Sequence, residues 1–124
     1  MKFMLDSNVV IAVALATAEA VRRHMAEHND GDFVISAVAY AEVIHGSVRG
    51  KPPELARLQA LIEEVPVLPF DEQAARSYAK IPFKRASYDR LIAAHALSLG
   101  LTVITDNMKH FADVPGLMVE NWTV

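Results

Sequence analysis

The stretch Tyr88–Thr105, YDRLIAAHALSLGLTVIT, contains the clearest helix and the clearest strand of the chain. Its first twelve residues predict a helix from Tyr88 to Leu99, and Gly100 follows at a position where helices commonly end. Leu101–Thr105 is a short apolar run rich in β-branched residues, which predicts a buried strand. A helix that leads directly into a buried strand is typical of an α/β domain.

The rest of the chain repeats this alternation of short apolar runs and helical patterns. We predict strands at Phe3–Leu5, Asp32–Ile35, Val65–Phe70, Leu101–Thr105 and Leu117–Val119, and helices at Asn8–Ala16, Glu19–His28, Ala37–Ser47, Pro53–Glu64, from Asp71 to about Lys80, and Tyr88–Leu99. The prolines of the third strand indicate an edge position. Alternating strands and helices imply a parallel sheet covered on both faces, with ligands outside the carboxyl ends of its strands.

Composition limits the classes of protein to which the chain can belong. Its 124 residues suit one domain, and 52% apolar with 22% charged residues is ordinary for a globular protein. No cysteine is present, which excludes disulfides and thiolate metal sites. The N-terminus does not resemble a signal peptide, and Val9–Ala16 is far shorter than the ~20 residues of a membrane helix, so we expect a cytoplasmic protein with no membrane partner.

The net charge of −3 argues against a general nucleic-acid binder, since such proteins are usually basic. Contact with a nucleic acid would have to be local, or a metal ion would have to supply positive charge. The most basic stretch comes just before Asp89 and includes Lys84, Arg85 and Arg90. A solvated loop is the ordinary interpretation of such a run, and phosphate binding is the alternative.

Two of the candidate acids follow strands. Asp6 comes directly after the first strand, and Asp106 comes after the strand Leu101–Thr105, flanked by Thr105 and Asn107. Turns and helix N-caps use the same residue types, so each position has a purely structural interpretation. The functional interpretation is a set of carboxylates at the carboxyl edge of the sheet, aimed at a metal ion.

The other two acids lie on predicted helices. Glu42 has apolar neighbours on both sides of the helix wheel, which predicts a helix buried nearly all round and a carboxylate in need of a cationic side chain or a metal ion. Asp89 could simply stabilise the positive end of its helix dipole. However, the small residues Ala93, Ala96 and Gly100 lie along the same side of the helix as Asp89, and they would let the helix approach a neighbour closely.

Other catalytic patterns are weaker. His24 and His28 have the i, i+4 spacing of a zinc pair, but no third ligand is evident and solvated surface histidines are the simpler interpretation. The chain contains no glycine-rich phosphate loop and no G-x-S-x-G serine motif.

Four short motifs follow one another in the order found in PIN-domain nucleases. They are Asp6-Ser7-Asn8 after a short strand, Ala41-Glu42-Val43 with Gly46, the run Tyr88–Ala96, and Val103–Asn107 with Phe111, Pro115-Gly116-Leu117 and Glu120-Asn121-Trp122. The last group resembles the closing motif of VapC toxins. Each motif is modest alone, but their order and spacing from residue 3 to residue 122 make the resemblance specific.

This resemblance implies a three-layer α/β/α fold with a parallel sheet of four or five strands, in a single domain over residues 1–124. It implies the toxin of a type II toxin–antitoxin pair, an endoribonuclease that depends on Mg²⁺ or Mn²⁺ and acts on RNA, with transfer RNA as the expected class. It also implies a VapB-like antitoxin and a homodimer.

The resemblance assigns residue roles as well. Asp6 and Asp89 match the family's metal ligands, and Glu42 matches the acid of the second motif. We expect Asp6, Glu42, Asp89 and Asp106 to form the catalytic cluster, because hard divalent cations prefer oxygen ligands and activate water for phosphodiester hydrolysis. Supporting residues that would orient water or phosphate are Asn8, Thr105 and Asn107.

Three features depart from the family pattern. Many relatives carry an acid at the position of Asn107, many carry Asp or Glu at that of His110, and the segment before Asp89 is short. The departure at Asn107 supports an alternative from another class of function. In that alternative, the chain is a catalytically decayed module that acts through an antitoxin and operator DNA. A phosphohydrolase of small esters is a third interpretation, but such enzymes place a second aspartate two residues after the first, where this chain has Asn8.

Overall fold

The computed structural model describes residues 1–83 and 87–124. Within these residues the strands are β1 Phe3–Leu5, β2 Phe33–Ser36, β3 Val67–Leu68, β4 Thr102–Ile104 and β5 Val119–Glu120. They form one sheet in the order β3-β2-β1-β4-β5, and every neighbouring pair is parallel. The predicted parallel sheet is confirmed, including the edge position of the proline-flanked strand.

Six α-helices connect the strands. They are α1 Ser7–Leu15, α2 Glu19–Ala26, α3 Ala37–Ser47, α4 Leu55–Glu64, α5 Glu72–Lys80 and α6 Tyr88–Leu99, with short 3₁₀ turns at Asp30–Asp32 and Met108–His110. All three residues of the central strand β1 are buried. Because successive side chains of a strand point to opposite faces, burial of all three requires helices on both faces of the sheet. The arrangement is the expected three-layer α/β/α fold.

Side chains at the strand-to-helix turns start several of these helices. The backbone N–H of Val9 donates to Asp6 at 3.0 Å, that of Val38 to Ser36 at 3.1 Å, and that of Ala74 to Asp71 at 3.0 Å. Such caps satisfy N–H groups that have no partner inside the helix. At the other end of α6, Gly100 has a φ of +67°, a left-handed conformation that favours glycine.

Several predicted bounds differ from the observed ones by one or two residues, and one prediction about burial was wrong. The last strand is Val119–Glu120 rather than Leu117–Val119. Helix α3 was expected to be buried nearly all round, yet Ala41 and His45 are exposed and Glu42 is half-buried. Its buried residues Ala39, Val43 and Ser47 lie on one side, and Val38, Tyr40 and Ile44 are only partly buried against the core. No helix in the described part of the chain is long and apolar enough to cross a membrane.

Candidate active site

Asp6 lies at the carboxyl end of β1, the middle strand of the sheet, and only 5% of its surface is exposed. One carboxylate oxygen accepts the hydrogen bond from Val9 that caps α1, and the other accepts a hydrogen bond from the hydroxyl of Thr105. The structural interpretation of Asp6 as an N-cap is therefore correct. Asp6 can have a second role besides capping, because the same carboxylate lies among other acids.

Burial raises the pKa of Asp6 to about 6 from an ordinary value of 3.8. The hydrogen bonds from Thr105 and Val9 oppose this rise, because they stabilise the charged form. The negative charges of Asp106 and Asp89 add to it. The acids at the end of β4 and at the start of α6 thus lie close enough to act on the carboxylate at the end of β1.

Glu42 joins this group from the second turn of α3. The hydroxyl of Ser7 donates a hydrogen bond to its Oε1 at 2.7 Å. Burial raises the pKa of Glu42, the hydrogen bond from Ser7 opposes the rise, and the charge of Asp89 adds to it. The partner that holds Glu42 in the described residues is therefore a serine from the first motif, and not the lysine or arginine that a purely structural role would suggest.

Asp89 lies in the first turn of α6, with 30% of its side chain exposed. Its Oδ2 is 2.7 Å from Nδ1 of His110, and Nε2 of the same ring is 3.0 Å from the side-chain nitrogen of Asn107. His110 and Asn107, two positions at which the sequence analysis expects a departure from the family pattern, are thus in contact with each other. Both belong to the surroundings of Asp89.

The three predicted supporting residues lie beside the acids. The side-chain nitrogen of Asn8 is 3.4 Å from Oδ1 of the exposed Asp106, and the backbone N–H of Asn107 donates to the hydroxyl of Thr105 at 3.0 Å. Thr105 in turn holds Asp6. The turn after β4 therefore holds Asp6 through Thr105, and the first turn of α1 contacts Asp106 through Asn8.

Of the three residues predicted to contact phosphate, the structure describes one, and that residue is buried. Lys84 and Arg85 lie outside the described residues. Arg90 is only 6% exposed, and its guanidinium donates to the carboxylate of Asp113 at 3.0 Å and to the carbonyl of Pro82. Arg90 also lines the cleft beside Asp89, so its contact with RNA phosphate stays a prediction, for a guanidinium that already has Asp113 and the carbonyl of Pro82 as partners.

A cleft of about 300 Å³ opens beside Asp89. Ser87, Lys109 and His110 contribute to its walls, and Lys109 places an exposed cation there. Sequence reasoning missed Lys109, although its position two residues after Asn107 was a usable signal. It is a described cation next to the acid cluster that could meet a phosphate.

The donor set suits a hard divalent cation. The charges of neighbouring acids add to the raised pKa of Asp6 and of Glu42, and a bound cation would relieve this repulsion. Among residues 1–83 and 87–124, no three carboxylate or imidazole side chains are already placed to share one ion. The fit therefore rests on the chemistry of Asp6, Glu42, Asp89 and Asp106 and on their electrostatic coupling.

Comparison with known proteins identifies a family and several relatives of this chain. The model of the PIN domain family matches residues 3–117. The tRNA(fMet)-specific endonuclease VapC of Salmonella typhimurium is 34% identical over 98% of each chain, and that of Shigella flexneri is 33% identical over 99% of each chain. The structure of DNA-bound VapBC from Salmonella typhimurium is similar with a TM-score of 0.86, at 34% identity and 98% coverage of each chain.

The family match spans all four acids and the turns that hold them. The relatives match over nearly their whole length, and the solved structure shares the sheet and helices that bring the acids together. This chain therefore belongs to the PIN-domain family, and within that family to the VapC ribonucleases of toxin–antitoxin systems.

Proposed function

We propose that this chain is a Mg²⁺- or Mn²⁺-dependent endoribonuclease that hydrolyses a phosphodiester bond of a transfer RNA and is inhibited by a VapB-like antitoxin. The observation that carries the proposal is the electrostatic coupling of the candidate acids at the carboxyl ends of β1 and β4. The charges of Asp106 and Asp89 add to the raised pKa of Asp6, and the charge of Asp89 adds to that of Glu42. Perturbed carboxylates grouped at the carboxyl edge of a parallel sheet are typical of active sites.

Asp6 and Asp89 would hold the ion, with Asp106 completing the acidic rim. When bound there, Mg²⁺ or Mn²⁺ would lower the pKa of a coordinated water and neutralise negative charge on the phosphate. Thr105 fixes the carboxylate of Asp6, and Asn8 contacts that of Asp106, so both acids are oriented before substrate arrives. Such pre-orientation avoids a cost of reorganisation during the reaction.

Glu42 would take the proton from the attacking water. A raised pKa brings a carboxylate closer to the working pH, which makes it a better general base than an ordinary glutamate. The hydrogen bond from Ser7 fixes one oxygen, Oε1, and leaves the other free to accept a proton. In the cleft beside Asp89, Lys109 would contact a phosphate group of the RNA.

Transfer RNA is proposed as the substrate because two relatives of about one-third identity are named as endonucleases specific for tRNA(fMet). The antitoxin is proposed because similar structures are VapBC complexes, among them the DNA-bound complex of Salmonella typhimurium. A cationic side chain of the antitoxin near the four acids would stand in for the metal ion. The homodimer implied by the resemblance stays a prediction, which sedimentation equilibrium would test.

The test is cleavage of a total RNA pool by purified protein that is free of antitoxin. Wild type and Asp89→Asn are each incubated with Mg²⁺, with Mn²⁺ and with EDTA, and fragment ends are sequenced. We expect discrete fragments only from wild type with a metal ion, and enrichment of transfer RNA among the cleaved molecules.

Glu72→Gln is the matched control, because Glu72 is an exposed acid of α5 that pairs with Arg76 at 2.8 Å. It should cut as wild type does. Cleavage that persists in EDTA or in Asp89→Asn would overturn the metal-dependent mechanism. No cleavage by folded wild type under any condition would favour a decayed module that acts through its antitoxin.

A further inference from the structure

The aromatic side chains of this chain have an uneven distribution of exposure. The sequence contains five phenylalanines, three tyrosines and one tryptophan. Only two of the nine, Phe83 at 75% and Tyr88 at 61%, are exposed, and the other seven are buried or half-buried. Single exposed apolar residues are common, but here the two exposed rings lie only five positions apart in the sequence.

The region of these two rings adjoins the acid cluster. Tyr88 is the first residue of α6 and directly precedes Asp89. Phe83 follows Pro82, whose carbonyl accepts a hydrogen bond from the guanidinium of Arg90 in the same first turn of α6. Because Arg90 is buried and also pairs with Asp113, it ties the backbone next to Phe83 to the start of the helix that carries Asp89.

Nothing in the described structure covers these two rings, and the electrostatics of the chain favour a non-ionic way of holding RNA. The net charge is −3, so phosphate contacts alone would supply little affinity. Aromatic rings bind unpaired bases by stacking, which depends little on sequence and is nearly independent of charge. Such stacking would hold RNA beside an acidic site that otherwise repels its backbone.

We propose that Phe83 and Tyr88 form a stacking platform for unpaired bases of the RNA substrate next to the phosphate that is cut. The inference rests on the proposed ribonuclease function and adds to it two residues that bind the bases beside the cut. The bases stack on the exposed rings while the adjoining phosphate lies at Asp89. These two residues therefore determine preference for loops over duplexes, and they act on binding more than on the chemical step.

The test compares leucine with aromatic replacements. Phe83→Leu and Tyr88→Leu keep an apolar side chain but cannot stack, whereas Phe83→Tyr and Tyr88→Phe keep the ring. Val48→Ala removes another exposed apolar side chain, one that is 60% exposed at the end of α3. Each protein is assayed for KM and kcat on a single-stranded oligonucleotide, and on the same sequence within a duplex. Thermal unfolding verifies that every variant is folded.

We expect each leucine variant to raise KM for the single strand about tenfold with kcat nearly unchanged, which corresponds to the loss of one stacked base. The aromatic variants and Val48→Ala should match wild type. A second readout is fluorescence anisotropy of the labelled single strand in Ca²⁺, which measures binding without relying on cleavage and should show the same loss.

The outcomes separate this inference from the proposed function. Cleavage and binding by the leucine variants equal to those of wild type would overturn the platform and leave the ribonuclease intact. Binding that depends on the rings, in a wild type that cuts no RNA, would overturn the ribonuclease and support the platform. An absence of single-strand binding by wild type, or leucine variants that alter only the oligomeric mass, would overturn the platform in favour of a protein interface.

Discussion

The hydroxyl of Thr105 donates a hydrogen bond to the carboxylate of Asp6, a residue 99 positions earlier in the chain. The contact joins the turns after β1 and β4, two strands that are hydrogen-bonded neighbours in the sheet. Asp6 is nearly inaccessible to solvent, so this bond and the one from Val9 are what stabilise its charged form. The same arrangement makes the central acid of the site a source of instability in the absence of a cation.

The first prediction concerns the pH dependence of stability in EDTA. Because the pKa of Asp6 is about 6 in the folded protein and 3.8 ordinarily, the folded state binds the proton more tightly than the unfolded state. Stability is therefore lost as the pH rises from about 4 through 6, by up to about 3 kcal/mol. We expect Asp6→Asn to exceed wild type in free energy of unfolding by about 1–3 kcal/mol at pH 7.5, and the difference to vanish below pH 4.

Urea unfolding monitored by circular dichroism measures this difference. Thr105→Val provides the matched comparison, since it removes a hydrogen bond that lowers the pKa of Asp6. That variant should lose more stability than wild type over the same pH interval. A gap between wild type and Asp6→Asn that widens towards acid pH would contradict the assignment.

The second prediction concerns metal binding by the folded protein. A ligand that binds only the native state stabilises it, by about 2.7 kcal/mol at a hundred times its dissociation constant. We expect Mg²⁺ or Mn²⁺ to raise the Tm of wild type by several degrees and to have no effect on Asp6→Asn or Asp89→Asn. Differential scanning calorimetry with metal, then with excess EDTA, makes the measurement. Equal increases in all three proteins would remove both acids from the site.

The third prediction concerns the buried guanidinium of Arg90, which is held by Asp113 and by the carbonyl of Pro82. Removing one partner of such a pair leaves a buried charge with too few partners, and Asp113 is itself partly exposed, so Asp113→Ala should cost about 2 kcal/mol. Arg90→Met removes the charge and should lessen the effect of the second substitution. A double-mutant cycle in urea shows the coupling, whereas strictly additive losses would contradict it.

The fourth prediction concerns His95, whose Nδ1 lies 2.8 Å from the hydroxyl of Ser36 and whose side chain is only 2% exposed. Burial lowers the pKa of His95, and the charge of Asp71 opposes that change. A histidine with a lowered pKa in the folded state loses stability as the pH falls below 6.5, because the unfolded chain takes up the proton more readily. His95→Gln should therefore lose less stability than wild type between pH 7 and pH 5.

Ser36→Ala tests the partner of that contact. Ser36 also accepts the backbone N–H of Val38 and so caps α3, the helix that carries Glu42. Loss of a serine cap costs about 1 kcal/mol, and we expect a loss at least that large at pH 7.5 by urea unfolding. Stability equal to that of wild type would show that neither hydrogen bond of Ser36 contributes.

Local features of the structure could be predicted with success. The helix Ala37–Ser47 has the predicted bounds, and Asp71 caps its helix as expected, since capping depends on residues within one turn. The edge position of the strand at Val67–Leu68 followed from its neighbouring prolines. The exposure of α3 and the burial of Arg90 were not predicted, because both depend on which elements pack against them.

The sequence by itself determined the alternation of strands and helices, the parallel sheet, and the positions of acids at strand and helix ends, because backbone periodicity and capping are encoded over a few residues. Only the tertiary structure decided the partners of those acids. Ser7 reaches Glu42 across 35 positions, and Arg90 reaches Asp113 across 23. Distances of that kind are set when strands pair and helices pack, and burial then fixes the pKa of Asp6.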